Sequence, residues 1–299
     1  MDLLRASFYR SMSKMFFVTI LGSGSAGNCA LVETPQARLL IDGGLSAKQI
    51  AVRLALCGVD PNGIDAILLT HEHGDHAGAL NVWGKQFPTP VYCNRLTAEV
   101  LQKDSPPGRT DWKLFITGSA FTIKDLTIET FPVPHDAVEP VGFMLHHGGE
   151  SLGFLTDLGV ATKLVQQRVC MAQTLVIETN HDEKLLQNDT KRPWSVKQRI
   201  MSRHGHLSNA AAANVLFDLL EAGCLRRAVL GHLSRDCNSA DLAVGTVRTR
   251  LDSAGTHGVE VFCATQREIS PRFAVRPDPP RRVDGGSPLV SEAASPNSG

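Results

Sequence analysis

Residues 70–76 read Thr-His-Glu-His-Gly-Asp-His and come directly after an apolar run over 64–69. Three imidazoles and a carboxylate therefore stand at the mouth of a predicted strand. Each costs free energy if buried without a partner, and a divalent cation can pair with all of them at once. An HxHxDH cluster in this position points strongly to a two-metal hydrolytic site. Such a site also needs a bridging carboxylate and acceptors that fix the imidazole tautomers. The fold must therefore bring other segments to this strand end.

A chain of 299 residues, 42% hydrophobic, can bury the core of one large domain or two small ones. Lys plus Arg (30) balance Asp plus Glu (30), so no global charge steers it toward nucleic acid or a membrane, and local patches must carry any partner argument. Seven cysteines, an odd number without a CxxC pair, fit reduced thiols in a cytoplasmic protein rather than a zinc knuckle. Arg5, Arg10 and Lys14 before the apolar 15–21 faintly resemble a secretory leader. That run is too short to span a membrane, and strand-like sequence follows it. We read it as the first core strand of a domain over 15–272, with 1–14 a loose extension and Met15 an alternative start to Met1. Over 273–299, above all from Arg276, Pro, Gly, Ser and Arg dominate. Such a tail cannot offset its ordering entropy and is expected to be disordered.

Short strands are predicted over 16–21, 29–32, 38–41, 64–69, 90–93, 121–123, 126–131, 141–145, 151–155, 174–177, 227–230 and 259–263. A helix capped by Ser46 runs to about Cys57, with Gly58 past its end. A second follows Ser208 over 209–221, and a third covers 240–251. The strands come first in hairpins and then alternate with helices. Asp42, His71, His135, Asp157, Glu178 and His232 each follow an apolar strand. Sites commonly gather at such ends.

Gly22-Ser-Gly24-Ser-Ala-Gly27 matches the dinucleotide fingerprint GxGxxG and follows a strand. That fingerprint needs a helix to open inside the glycine loop, with its N-terminus facing a pyrophosphate. Here 29–32 and 38–41 read as paired strands, so the loop is a tight turn near the active face.

Hydrolysing a stable ester at neutral pH calls for a hydroxide, which bound metal supplies by lowering the pKa of water to about 7. The chain offers a ligand set in order: Asp42; His71, His73, Asp75 and His76; His135; Asp157; His232. These residues closely resemble those of the metallo-β-lactamase superfamily, over roughly 16–270 of the chain. The resemblance implies an α/β fold, the four-layer αββα sandwich. It also implies that His71, His73 and His135 hold one divalent metal and that Asp75, His76 and His232 hold a second, with Asp157 bridging them. Asp42 would orient the histidine cluster. The segments 24–28, 40–46, 178–182, 205–209 and 231–234 are similar to the YycJ (WalJ)-like branch, whose members are regarded as 5′→3′ exonucleases. Gly74 and Thr179 depart from that branch's usual residues without touching a ligand position.

Glu178 and His206 match positions where the related ribonuclease Z and ribonuclease J groups carry an acidic residue and a phosphate-facing histidine. Expelling an alkoxide benefits from a proton donor, a role for His206 paired with Glu178; the bland alternative makes His206 a helix-entry residue beside Ser208. His181 reads equally as a site contact or a surface turn. Lys191, Arg192, Lys197, Arg199, Arg203 and His204 crowd a segment with few acids. Such a run is ordinarily a solvated face, but its place before Gly205-His206 makes a phosphate-binding rim a rival, with Arg199, Arg203, His181 and Ser208 as candidates. Trp194 could stack a base, although a core anchor is the commoner role.

The resulting expectation is a phosphodiesterase or nuclease with two Zn²⁺ or Mn²⁺ ions, acting through a metal-bridging hydroxide on nucleic acid, with no membrane partner. Acyl or thioester hydrolysis on the same fold is the alternative, and a non-catalytic metal-binding regulator a third. A di-iron flavoprotein role fits less well, since that group has glutamate where His73 stands.

Overall fold

Short Val-, Leu- and Ile-rich segments between glycine, proline and aspartate turns become strands, and the computed structural model, which describes residues 15–103, 110–255 and 258–277, pairs them into two sheets. The first runs in the order β14 (Phe273–Ala274), β1 (Phe17–Gly22), β2 (Cys29–Glu33), β3 (Arg38–Ile41), β4 (Ala66–Leu68), β5 (Val91–Asn94) and β6 (Trp112–Phe115). The second runs β13 (Glu260–Cys263), β12 (Arg227–Gly231), β11 (Thr174–Glu178), β10 (Glu150–Leu155), β9 (Val141–His147), β8 (Leu126–Pro132) and β7 (Ala120–Ile123). Each sheet opens with antiparallel hairpins and continues in parallel, as at Leu40↔Ile67 and Val176↔Val229.

Side chains alternate between the faces of a strand, and here both faces are covered. Leu39 and Ile41 of β3 point into a core between the sheets, where Val18, Val32, Phe143, Phe154 and Val176 meet them. Leu40 points the other way, onto Ile50, Leu54 and Trp83 from the helices Ala47–Leu56 and Leu80–Gln86. In β11, Val176 joins the central core, while Leu175 and Ile177 pack against Val165, Leu216 and Val247 of the helices Lys163–Val169, Asn209–Leu220 and Ala240–Asp252. Burial on both faces explains the unbroken apolar runs. The layers are αββα, as expected.

Local signals placed the main helices well. Ser46 Oγ accepts from Gln49 N at 3.3 Å and Gln49 Oε1 accepts from Ser46 N at 3.4 Å, a reciprocal cap that starts Ala47–Leu56. The strand β6 and the helices Leu80–Gln86, Arg95–Lys103, Lys163–Val169, Glu183–Asn188 and Trp194–Ile200 were not expected; the helices have nine residues or fewer and rely on tertiary packing. The glycine loop over 22–28 joins two antiparallel strands with no helix inside it.

One boundary needs correction. The expected extension over 1–14 and the tail from 278 lie outside the described residues, but the domain does not stop at 272. Phe273–Ala274 pairs antiparallel with Phe17 and Val18. Arg227 donates to Ala274 O at 2.5 Å and stacks over the Phe273 ring at 4.6 Å, while Val275 is fully buried. The polar bulk of the tail concealed a Phe-Ala-Val triplet sufficient to complete a sheet edge. Truncating Val275→Ala should destabilise the protein by about 2 kcal/mol in urea denaturation, whereas a disordered residue would register no change.

Candidate metal centre

The C-terminal ends of β3, β4, β8, β10, β11 and β12 open toward one rim, and the polar residues that follow them converge there. Asp42 (φ 61°), Asp157 (φ 55°) and His232 (φ 53°) are three of the four non-glycine residues with positive φ among those described. A left-handed backbone costs roughly 1–2 kcal/mol for an ordinary residue, so packing must hold these turns in place.

His71, His73 and His135 bring one nitrogen each within 4.8 Å of one another, and Asp75, His76 and His232 form a second group by the same measure. Asp157 belongs to groups on both sides, one with His71 and His76 and another with Glu178, His206 and His232. Its carboxylate lies 3.0 Å from His76 Nε2 and 3.7 Å from His135 Nε2. Asp75 Oδ2 is 3.3 Å from His232 Nε2 and 3.7 Å from His76 Nε2. All seven residues carried over from the resemblance are thus brought together.

A ring of acceptors fixes the imidazoles. His76 Nδ1 donates to Asp42 Oδ2 at 2.7 Å. Thr70 donates its hydroxyl to Asp42 and accepts from His71 Nδ1, both at 3.0 Å. His135 Nδ1 donates to Gly205 O at 3.0 Å, and His232 Nδ1 to Glu178 Oε1 at 2.8 Å. With these four Nδ1 atoms engaged, the Nε2 edges of His71, His76, His135 and His232 are left for the cluster. Thr70 and Gly205 escaped the sequence reading because a hydroxyl and a backbone carbonyl carry no motif of their own. Asp42 thus accepts from His76 Nδ1 and from both the amide and the hydroxyl of Thr70.

The cluster fits cations on a direct observation. His71 Nε2 and His135 Nε2 are buried without a hydrogen-bond partner. Leaving such groups unpaired costs about 1–3 kcal/mol each. A divalent ion bound by these donors removes that cost.

The electrostatics agree. Burial disfavours the charged form of Asp157, but His232 and His76 outweigh it and hold the carboxyl well below the usual carboxylate range. Burial likewise opposes charge on His76, and Asp157 and Asp42 overcome it, pushing the imidazole up to about 10. His71 and His135 are held down, chiefly by burial, which favours the neutral imidazole that a cation needs. The carboxylates therefore demand positive charge at this rim.

Residues 37–233 match the beta-lactamase superfamily domain. The chain belongs to the metallo-β-lactamase superfamily. It is 34% identical over 245 residues to exodeoxyribonuclease YycJ of Bacillus anthracis, an alignment covering 82% of this chain and 92% of that one. It is 36% identical over 242 residues to exodeoxyribonuclease WalJ of Streptococcus pneumoniae serotype 2, covering 80% and 89%. Among solved structures, the metallo-β-lactamase fold protein YhfI of Bacillus subtilis superposes with a TM-score of 0.67 at 19% identity, over 87% of this chain and all of that one, a likeness of fold alone.

The remaining candidates divide. Glu178, fully buried, accepts from His206 Nδ1 at 2.7 Å as well as from His232, and from the amides of Leu158 and Leu207 at 3.1 and 3.3 Å. It is a positioning residue, enclosed beneath the two rings. The His206 ring lies 5.1 Å from that of His135 and 5.3 Å from that of His232. His181 is 2% exposed, which removes the surface-turn reading. Ser208 is committed to the fold: its hydroxyl accepts from Ala211 N at 3.1 Å and donates to Glu183 at 2.8 Å. The basic run is less free than its composition suggested. Arg192 pairs with Asp189 and Asp236, Lys191 with Asp236, and the buried Lys197 donates to Gln187 O. Arg199, exposed, pairs with Asp136, whose other oxygen lies 3.3 Å from His135 Nε2, while Arg203 is exposed nearby. Trp194 is 59% exposed, contrary to a core anchor, because it begins a short helix on the outer surface. No helix among the described residues is long and apolar enough to cross a membrane, and all seven cysteines are free thiols.

The loop holding Asp75 and His76 is keyed to its neighbours by a close approach at Gly44. A Cβ there would lie 1.6 Å from the Asp75 carbonyl oxygen, whereas one on Gly74 would meet nothing within 4 Å. Gly44→Ala should therefore lose most bound metal on elemental analysis of purified protein, and Gly74→Ala should retain it. Equal metal content in both would count against the loop as part of the centre.

Proposed function

We propose that this chain is a dinuclear metal-dependent phosphodiesterase that shortens nucleic-acid strands from an end, in the manner of a 5′→3′ exodeoxyribonuclease. The observation that carries the reading is His206, clamped by Glu178 at 2.7 Å beside the two histidine groups. Relatives named exodeoxyribonuclease at 34% and 36% identity support it.

In this reading His71, His73 and His135 would hold one ion and Asp75, His76 and His232 the other, with Asp157 available to either. Zinc or manganese bound there would lower the pKa of water to about 7 and stabilise charge on the phosphoryl oxygens. The chain's own groups do the rest. Asp42, Thr70, the Gly205 carbonyl and Glu178 hold the rings in the required tautomers. Burial opposes charge on His206, but Glu178 raises its proton affinity. With Nδ1 tied to Glu178, its Nε2 edge is left to hand a proton to the departing oxygen. Arg199, resting on Asp136 next to His135, is placed to exchange that carboxylate for a substrate phosphate.

Purified protein with Zn²⁺ or Mn²⁺ should cleave bis(p-nitrophenyl) phosphate and end-labelled single-stranded DNA, but neither nitrocefin nor a glutathione thioester. Turnover of nitrocefin alone would overturn the proposal. Asp75→Ala should abolish cleavage while the circular dichroism spectrum is retained, and full activity in that variant would sink the mechanism.

His206→Ala should separate its role from mere support. General-acid assistance is worth about 10²–10⁴-fold, so cleavage of DNA, which expels an alkoxide, should fall within that range. Release of p-nitrophenolate, which leaves without a proton, should change little. An equal loss on both substrates would assign His206 to structure instead.

A further inference from the structure

A cavity of about 670 Å³ opens beside the metal centre, between the loops that follow β1, β12 and β13, with Arg192 also in its lining. Its wall is shared with the centre. Ser23, which lines it, accepts from His232 N at 2.7 Å, and the chain runs from His232 directly into Leu233, Ser234 and Arg235 of the lining. We propose that this cavity grips the sugar–phosphate of the nucleotide adjoining the scissile bond through Arg235 and Arg267, without reading its base. The proposal rests on the phosphodiesterase reading and names a strand-binding subsite for it.

The charges in the lining favour an anion. Asp236 is engaged by Lys191 and Arg192 at 3.1 and 3.0 Å, and Arg192 is engaged in turn by Asp189. Arg235 and Arg267 are exposed, and Glu268 is the carboxylate of the lining that remains to oppose them. Guanidinium groups bind phosphate oxygens in a planar fork. The opposite wall is held rigid: Gln266 accepts from Ala26 N at 2.9 Å and donates to Gly27 O at 2.7 Å, while Asn28 accepts from Gly24 N at 2.9 Å. That leaves Ser25 presented on a fixed loop. The lining contains no aromatic ring, so it offers phosphate and hydroxyl contacts but no stacking platform. Phosphate contacts supply affinity independent of sequence, which suits an enzyme that steps along a strand.

The test uses an Asp75→Ala background to prevent turnover and a fluorescent single-stranded oligodeoxynucleotide, read by anisotropy over a salt series. Adding Arg235→Ala and Arg267→Ala should weaken binding several-fold. It should also flatten the slope of log affinity against log salt by about 1.4, or ~0.7 for each cation lost from a single-strand contact. Arg235→Lys with Arg267→Lys should keep the slope, and Glu268→Gln should tighten binding. Affinity and slope unchanged from the Asp75→Ala parent would overturn the proposal. The double Ala variant should keep the circular dichroism spectrum and the bound metal of the Asp75→Ala parent; loss of either would place the arginines in support of the centre and overturn the subsite. Failure of the phosphodiesterase reading would show separately, as unsubstituted enzyme inert toward the small diester.

Discussion

Asp157 holds a fully buried negative charge at the seam between two sheets, within 3.7 Å of nitrogens on His76, His135 and His232. A carboxylate in that position is tolerable only if positive charge surrounds it. The histidines therefore have to arrive from both sheets, and the central core of Val18, Ile41, Phe143, Val176 and their neighbours keeps the sheets in register for that meeting. The left-handed turns at Asp42, Asp157 and His232 are sustained by the same packing. Strain at three strand ends is an unusual concentration, and it lies where the chain must turn sharply to aim polar groups at one point.

Much of this was legible in the sequence because each element carried a local signature. The strand β3 was read with its observed limits from Arg38-Leu-Leu-Ile, and Ser46 and Ser208 marked helix starts through side-chain chemistry that acts over three residues. The candidate ligands were legible for a related reason: polar residues such as Asp157 and His232 follow apolar strands where nothing in the local structure calls for them. What the sequence concealed depended on distance along the chain. Gly205 sits 70 residues from His135, whose ring its carbonyl orients. Val275 is drawn into the fold by Thr174, 101 residues away.

The basic segment over 191–204 shows how composition misleads about charge. Read along the chain it has few acids, yet folding brings Asp236 and Asp136 to it from 45 and 63 residues away. Lys191, Arg192 and Arg199 are thereby paired, and Lys197 turns inward. What survives as functional potential is a matter of position. Arg199 counts because its partner Asp136 also approaches the metal-facing nitrogen of His135, so the pair lies on the approach to the centre.

Two unequal flanks follow from this arrangement. Near His135 stands Arg199, matched by the Asp136 carboxylate; next to His232 is the cavity of Arg235 and Arg267, where Asp236 is engaged by Lys191 and Arg192 and Glu268 is the other acid of the lining. In the proposed function a strand would meet a standing ion pair, Arg199 with Asp136, at the first flank. Glu178 joins the two, since the carboxylate that holds His232 beside the cavity also holds His206 toward the Arg199 side. A shift of one ring is therefore felt by the other through a single buried acceptor.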